Sequence, residues 1–146
     1  TLIVDLEFDT DARLFAVGDV LSAVLGVRKD NNFAYSYEDR NLRYYDINED
    51  GELALVFSDS SDGSNASVIV LDRECREKAA VYTDLNSPCV DLSHGRINLL
   101  CDDEVSVYNF KGELVRKASV PKDCQMIFSS EGGLLAKGMM WLAKVE

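Results

Sequence analysis

An all-β chain is predicted by this 146-residue sequence on three observations. Apolar residues recur with period two: Val68 and Val70 alternate with Ile69 and Leu71, and Val105 and Val107 with Ser106 and Tyr108. Runs of β-branched and aromatic residues are short and are divided by Asp, Asn, Gly and Ser clusters, the pattern of strands joined by tight turns. The one helical rival, residues 72–82, places Glu74 four residues before Lys78 but carries no apolar face at helical spacing.

The elements follow from an internal repeat. An apolar–Asp–aliphatic triplet occurs at Val4-Asp5-Leu6, Tyr45-Asp46-Ile47 and Val90-Asp91-Leu92, at spacings of 41 and 45 residues. After each triplet and a polar turn comes a second apolar run ending in Asp: 13–19, 52–59 and 96–102. Third runs cover 21–27, 66–71 and 104–108, and fourth runs 33–37, 78–82 and 114–120. A degraded copy begins at Cys124-Gln125-Met126-Ile127, with Gln125 read at the place of the Asp, and continues through 133–137 and 140–145. Four short strands every ~40–45 residues is the period of a propeller blade. The expectation is therefore a single β-propeller segment of about four blades of four-stranded antiparallel sheet. The blades fall near 1–40, 41–85, 86–121 and 122–146, and the last lacks its outer strand. Both ends read as cut from a longer protein, with an open blade edge left for missing blades or for a homodimer partner.

Composition bounds the function. Fifteen basic against 26 acidic side chains give a net charge of −11, which repels phosphate backbones and argues against nucleic acid. No run approaches the ~20 apolar residues of a spanning helix, so no membrane insertion of this segment is expected. Cys75, Cys89, Cys101 and Cys124 form no CxxC pair and His94 is the single histidine, so a zinc site has nothing to build on. The cysteines read mostly as buried thiols.

The stretch 103–115, with its Val107-Tyr108-Asn109 and Gly112-Glu113-Leu114 corner, resembles a blade hairpin of WD40-like and quinoprotein-like propellers. It is similar above all to an uncharacterised bacterial propeller family of Gram-positive clostridia. That resemblance implies an extracytoplasmic module, anchored in the parent protein by one N-terminal membrane helix, and carries no catalytic residue across. The Gly-His and Trp-Asp pairs of WD40 repeats are absent: His94 precedes Gly95, and Trp141 precedes Leu142.

Asp46, Asn48 and Asp50, followed by Gly51, match the first half of a calcium loop, with oxygen ligands at positions one, three and five and glycine at six. Positions nine and twelve are Ala54 and Phe57, which offer no ligand, so the competing reading is an Asx-rich turn with Gly51 at positive φ. Phe33, Tyr35 and Tyr37 lie on one face of one strand and form a candidate interaction surface, or else pack against the neighbouring blade. The polar stretch 58–64, ahead of the Asn65-Ala66-Ser67 sequon, reads as a solvated or recognition loop, and His94 as a turn residue. Asp5, Asp46 and Asp91 either line the channel and bind a cation or are structural. The function expected is a non-enzymatic binding or scaffold module for a protein or glycan, with no cofactor. The alternative is a quinoprotein-like or hydrolase-type enzyme, or a cation-binding domain, with its site in the channel.

Overall fold

A computed structural model describes residues 3–8, 14–18, 23–27, 32–37, 40–58, 62 and 64–146, with side chains from residue 34 onward. The described residues are all strand and turn, in four consecutive antiparallel meanders. The first sheet holds β1 (Ile3–Phe8), β2 (Leu14–Gly18), β3 (Ala23–Val27) and β4 (Asn32–Ser36). The second holds β5 (Asn41–Ile47), β6 (Leu53–Ser58), β7 (Ala66–Leu71) and β8 (Glu77–Tyr82). The third holds β9 (Cys89–Ser93), β10 (Arg96–Cys101), β11 (Glu104–Tyr108) and β12 (Leu114–Ser119). The fourth stops at three strands: β13 (Met126–Ser130), β14 (Gly133–Lys137) and β15 (Leu142–Lys144). The expected blade architecture and its incomplete last member are both present, and the segment 72–76 is a turn between β7 and β8.

The sheets stack face on face, and the first strands β5, β9 and β13 lie side by side. Stacking explains why β6 reads as an unbroken apolar run: both of its faces are buried. Leu53, Leu55 and Phe57 point toward the first sheet and pack with Tyr37, Ile69 and Leu71. Ala54 and Val56, on the opposite face, pack with Val68, Val70, Leu92, Ile97 and Leu99 at the junction with the third sheet. Leu100, Val105 and Val107 meet Ile127, Ala136 and Val145 between the third and fourth sheets. Burying a Leu- or Phe-sized side chain contributes about 1.5–3 kcal/mol, so these junctions, each several such residues wide, hold the blades together.

Three turns are built alike. Asn48 accepts the Glu52 N–H at 2.9 Å on its side-chain oxygen and donates to the Glu52 carboxylate at 3.0 Å. Asn109 does the same with Glu113, at 3.0 and 2.7 Å. Asp72 accepts from the backbone N–H groups of Glu74 and Arg76 at 2.8 and 3.0 Å and pairs with the Arg76 guanidinium at 3.0 Å. The fourth residue of each turn has positive φ: Gly51 at 74°, Cys75 at 57° and Gly112 at 81°. A short side chain that mimics a backbone acceptor thus closes each corner.

One alignment changes. Ser93 pairs with Arg96 and Ser130 with Gly133, each pair closing the first hairpin of its sheet. Phe128, not Gln125, therefore stands where Asp91 stands in the third blade. The turn between Pro121 and Cys124 takes up the residues between the blades and shifts the register by three.

Candidate functional site

The inner strands β5, β9 and β13 end together, and their hairpin turns surround a cavity of about 490 Å³. Its lining includes Asp46, Asp50, Asp91, His94, Ser129 and Glu131. Five carboxylates and one histidine are in the lining, with no lysine or arginine among the described residues. The mouth is therefore a site of negative potential.

Two of the recurring acids, Asp46 and Asp91, lie at its base and reach across blades; the side chain of Asp5 is outside the described residues. Asp46 accepts the backbone N–H of Leu92 at 2.8 Å. Asp91, only 7% exposed, does more. Its carboxylate accepts from the Ser129 N–H at 3.1 Å, the Ser129 hydroxyl at 3.0 Å, the Ser93 hydroxyl at 2.8 Å and the Asn98 amide at 2.9 Å. A buried charge persists only when its lone pairs are met, and here two successive sheets meet them. These acids act as interblade ties.

The three residues read as calcium ligands are distributed differently. Asp46 points its carboxylate to the third sheet, and Asn48 closes its own hairpin. Asp50, at the tip of that hairpin, accepts the Arg73 Nε–H on its backbone carbonyl at 2.5 Å. Among the described residues no three His, Cys, Asp or Glu side chains form a metal-holding group. His94 takes φ of 50° and Gly95 of 67°, a two-residue hairpin turn in the left-handed region.

The aromatic stripe sits at the junction between the first and second sheets. Tyr37 is 1% exposed and packs on Phe57 with ring centroids 5.1 Å apart. Tyr35 is half-buried, donates to Glu77 at 2.6 Å and accepts from Arg40 at 2.9 Å. Burial, then the bond to Glu77, raises its phenol pKa above the ordinary value. The Arg40 guanidinium lies 4.5 Å from the Phe57 ring centre and 5.5 Å from that of Tyr35. Tyr37 is core, not surface. The side chain of Phe33 is outside the described residues, as is most of the 58–64 loop. Asn65 of the sequon is exposed, at φ 53°. No disulfide joins the four cysteines, of which Cys75 is buried.

Sequence reasoning missed Ser129 and Glu131. Aligning the fourth copy on its Gly132-Gly133 hairpin, instead of on the Asp triplet, places both at the mouth.

No protein-family model and no curated protein sequence matches the chain. Solved structures do match, and they establish the class: this is a segment of a β-propeller. It is similar to virginiamycin B lyase from Staphylococcus aureus, with a TM-score of 0.63 at 8% identity, over 94% of this chain and 49% of that one. It is equally similar to BBS1N, solved in complex with ARL6DN: TM-score 0.63, 10% identity, 97% of this chain and 52% of that one. Glutaminyl cyclase from Myxococcus xanthus gives a TM-score of 0.57 at 9% identity, over 92% of this chain and 60% of that one. The chain thus spans about half the length of such structures, and at these identities the likeness is one of fold alone. Among the described residues no helix is long and apolar enough to cross a membrane.

Proposed function

We propose that the chain is a non-enzymatic binding module that takes a basic segment of a protein partner at the acidic mouth of the propeller. The observation that carries this reading is the division of labour among the mouth acids. Asp46 and Asp91 spend their carboxylates on the next blade, whereas Asp50 and Glu131 stand on hairpin tips around a cavity without a cationic side chain. Carboxylates held on hairpin tips above a rigid sheet recognise charge, and loops positioned in this way are the usual place for binding. Ser93 and Ser129, the hydroxyls nearest the base, donate to Asp91 and serve as structure.

The test is fluorescence anisotropy of a labelled Lys/Arg-rich peptide, with neutral and acidic peptides of equal length as comparison. Salt-sensitive binding of the basic peptide, weakened by Asp50→Asn with Glu131→Gln, is expected. Equal affinity for all three peptides would sink the proposal. Calcium at Asp46, Asn48 and Asp50 is the competing reading. It is expected not to displace the peptide, because Asp46 and Asn48 already place side-chain oxygens on the Leu92 and Glu52 N–H groups.

A further inference from the structure

His94 is the single histidine of the chain, and it lies in the lining of the acidic mouth. Its place there follows from the hairpins. Ser93 pairs with Arg96 and Ser130 with Gly133, so the two-residue turns His94-Gly95 and Glu131-Gly132 close the first hairpins of the third and fourth sheets. His94 is exposed at the tip of its turn, at the position that Glu131 holds one blade on. Equivalent tips on neighbouring blades thus bring an imidazole and a carboxylate to one cavity.

The sheets on both sides of His94 supply acids to the same lining. Asp46, Glu49 and Asp50 come from the second sheet, Asp91 from the third and Glu131 from the fourth. Two arginines border this set without entering the lining. Arg96 donates to the Gly95 carbonyl at 3.1 Å, and Arg73 to the Asp50 carbonyl at 2.5 Å. Among the described residues, then, the lining gains a positive charge only by protonation of His94. Carboxylates ordinarily take up protons below about pH 5, whereas an imidazole does so between about pH 5 and 8. Mild acid therefore acts on the mouth through this one side chain.

We propose that His94 is a proton gate on the mouth: the neutral imidazole admits the basic segment of a partner protein, and the imidazolium weakens its hold. The gate rests on the reading of the mouth as a site for basic segments. A bound segment sets Lys or Arg cations among the tip carboxylates, and a cation on His94 repels them. Segment and proton thus oppose each other, by the same factor in both directions. An extra unit charge about 8 Å from a bound cation, in surroundings between a protein surface and bulk water, changes affinity by about two- to thirtyfold.

Anisotropy titrations of the labelled Lys/Arg-rich peptide at about pH 8 and about pH 5.5, at one ionic strength, test it. The unmodified chain should bind about two- to thirtyfold more weakly at the lower pH. His94→Asn, a residue at home in the left-handed turn, should bind equally at both. His94→Lys, a permanent cation, should bind weakly at both. An unmodified chain that binds at the higher pH and equally at the lower overturns the gate and leaves the reading of the mouth standing. A loss in acid that persists in His94→Asn also overturns the gate and assigns the titration to the carboxylates. No binding at the higher pH sinks the reading of the mouth, and the gate with it.

Discussion

Asp91 on β9 accepts both the backbone N–H and the side-chain hydroxyl of Ser129 on β13, at 3.1 and 3.0 Å, and so joins two successive blades through one buried carboxylate. Asp46 makes the corresponding reach to Leu92, one blade earlier. In the second and third blades the repeated acid of the sequence is thus a repeated tie, placed on the first strand of its sheet.

Removing the tie should cost more in the third blade than in the second. Asp91→Ala strands the Ser93, Asn98 and Ser129 donors around a buried gap. Leaving buried polar groups unsatisfied costs about 1–3 kcal/mol each, so a loss of about 3–4 kcal/mol is expected. Asp46→Ala should cost about 1 kcal/mol. Urea unfolding curves of the two variants give the comparison, and equal losses would contradict it.

Two glycines at positive φ separate conformation from crowding. At Gly95 an added Cβ meets nothing within 4 Å, so Gly95→Ala should cost only the left-handed backbone penalty, about 1 kcal/mol. At Gly112 the Cβ would meet the Ala80 carbonyl oxygen at 2.7 Å, on the outer strand of the preceding sheet. Gly112→Ala should therefore lose about 2–4 kcal/mol and loosen the junction of the second and third sheets. Thermal unfolding of the two variants measures the difference.

Tyr37 fills the joint between the first and second sheets against Phe57. Tyr37→Ala should destabilise by about 3–5 kcal/mol, as expected for truncation of a buried aromatic. Tyr37→Phe should cost less, because the packing with Phe57 is kept. Denaturant midpoints rank the two, and a surface role for the ring would leave both near the parent value.

Asp72 supplies an acid-sensitive element. Its pKa is lowered: against the opposing effect of partial burial, the backbone N–H groups of Arg76 and Glu74 and the Arg76 guanidinium favour the carboxylate. A depressed folded-state pKa adds stability that is present above the ordinary carboxyl value of 3.8 and lost as pH falls through the lower folded value. Asp72→Asn keeps an acceptor for the turn and removes the titration. The unmodified chain should lose part of its stability relative to this variant as pH drops below about 4. Parallel acid dependence of the two unfolding midpoints would refute the assignment.

Much of the fold is written locally. The alternation in 66–71 and 104–108, and the Asx corners at Asn48 and Asn109, depend on neighbours along the chain or across one hairpin. A period-two pattern and a turn residue state their structure wherever they occur. The candidate site was less legible. That Tyr37 is core while Tyr35 reaches Glu77 depends on how one sheet lies on the next, a relation 42 residues apart in sequence. The partner of Asp91 was hidden for a related reason, since the register of the fourth blade follows its hairpin and not its missing acid.

By itself, then, the sequence determined the strand content, the blade period and the acidic character, because these arise from local periodicity and composition. Only the tertiary structure decided which of the mouth carboxylates are spent on blade contacts and which stand on the hairpin tips. That choice lies in the stacking of sheets, where a side chain's partner is set by three-dimensional register between strands some 40 residues apart.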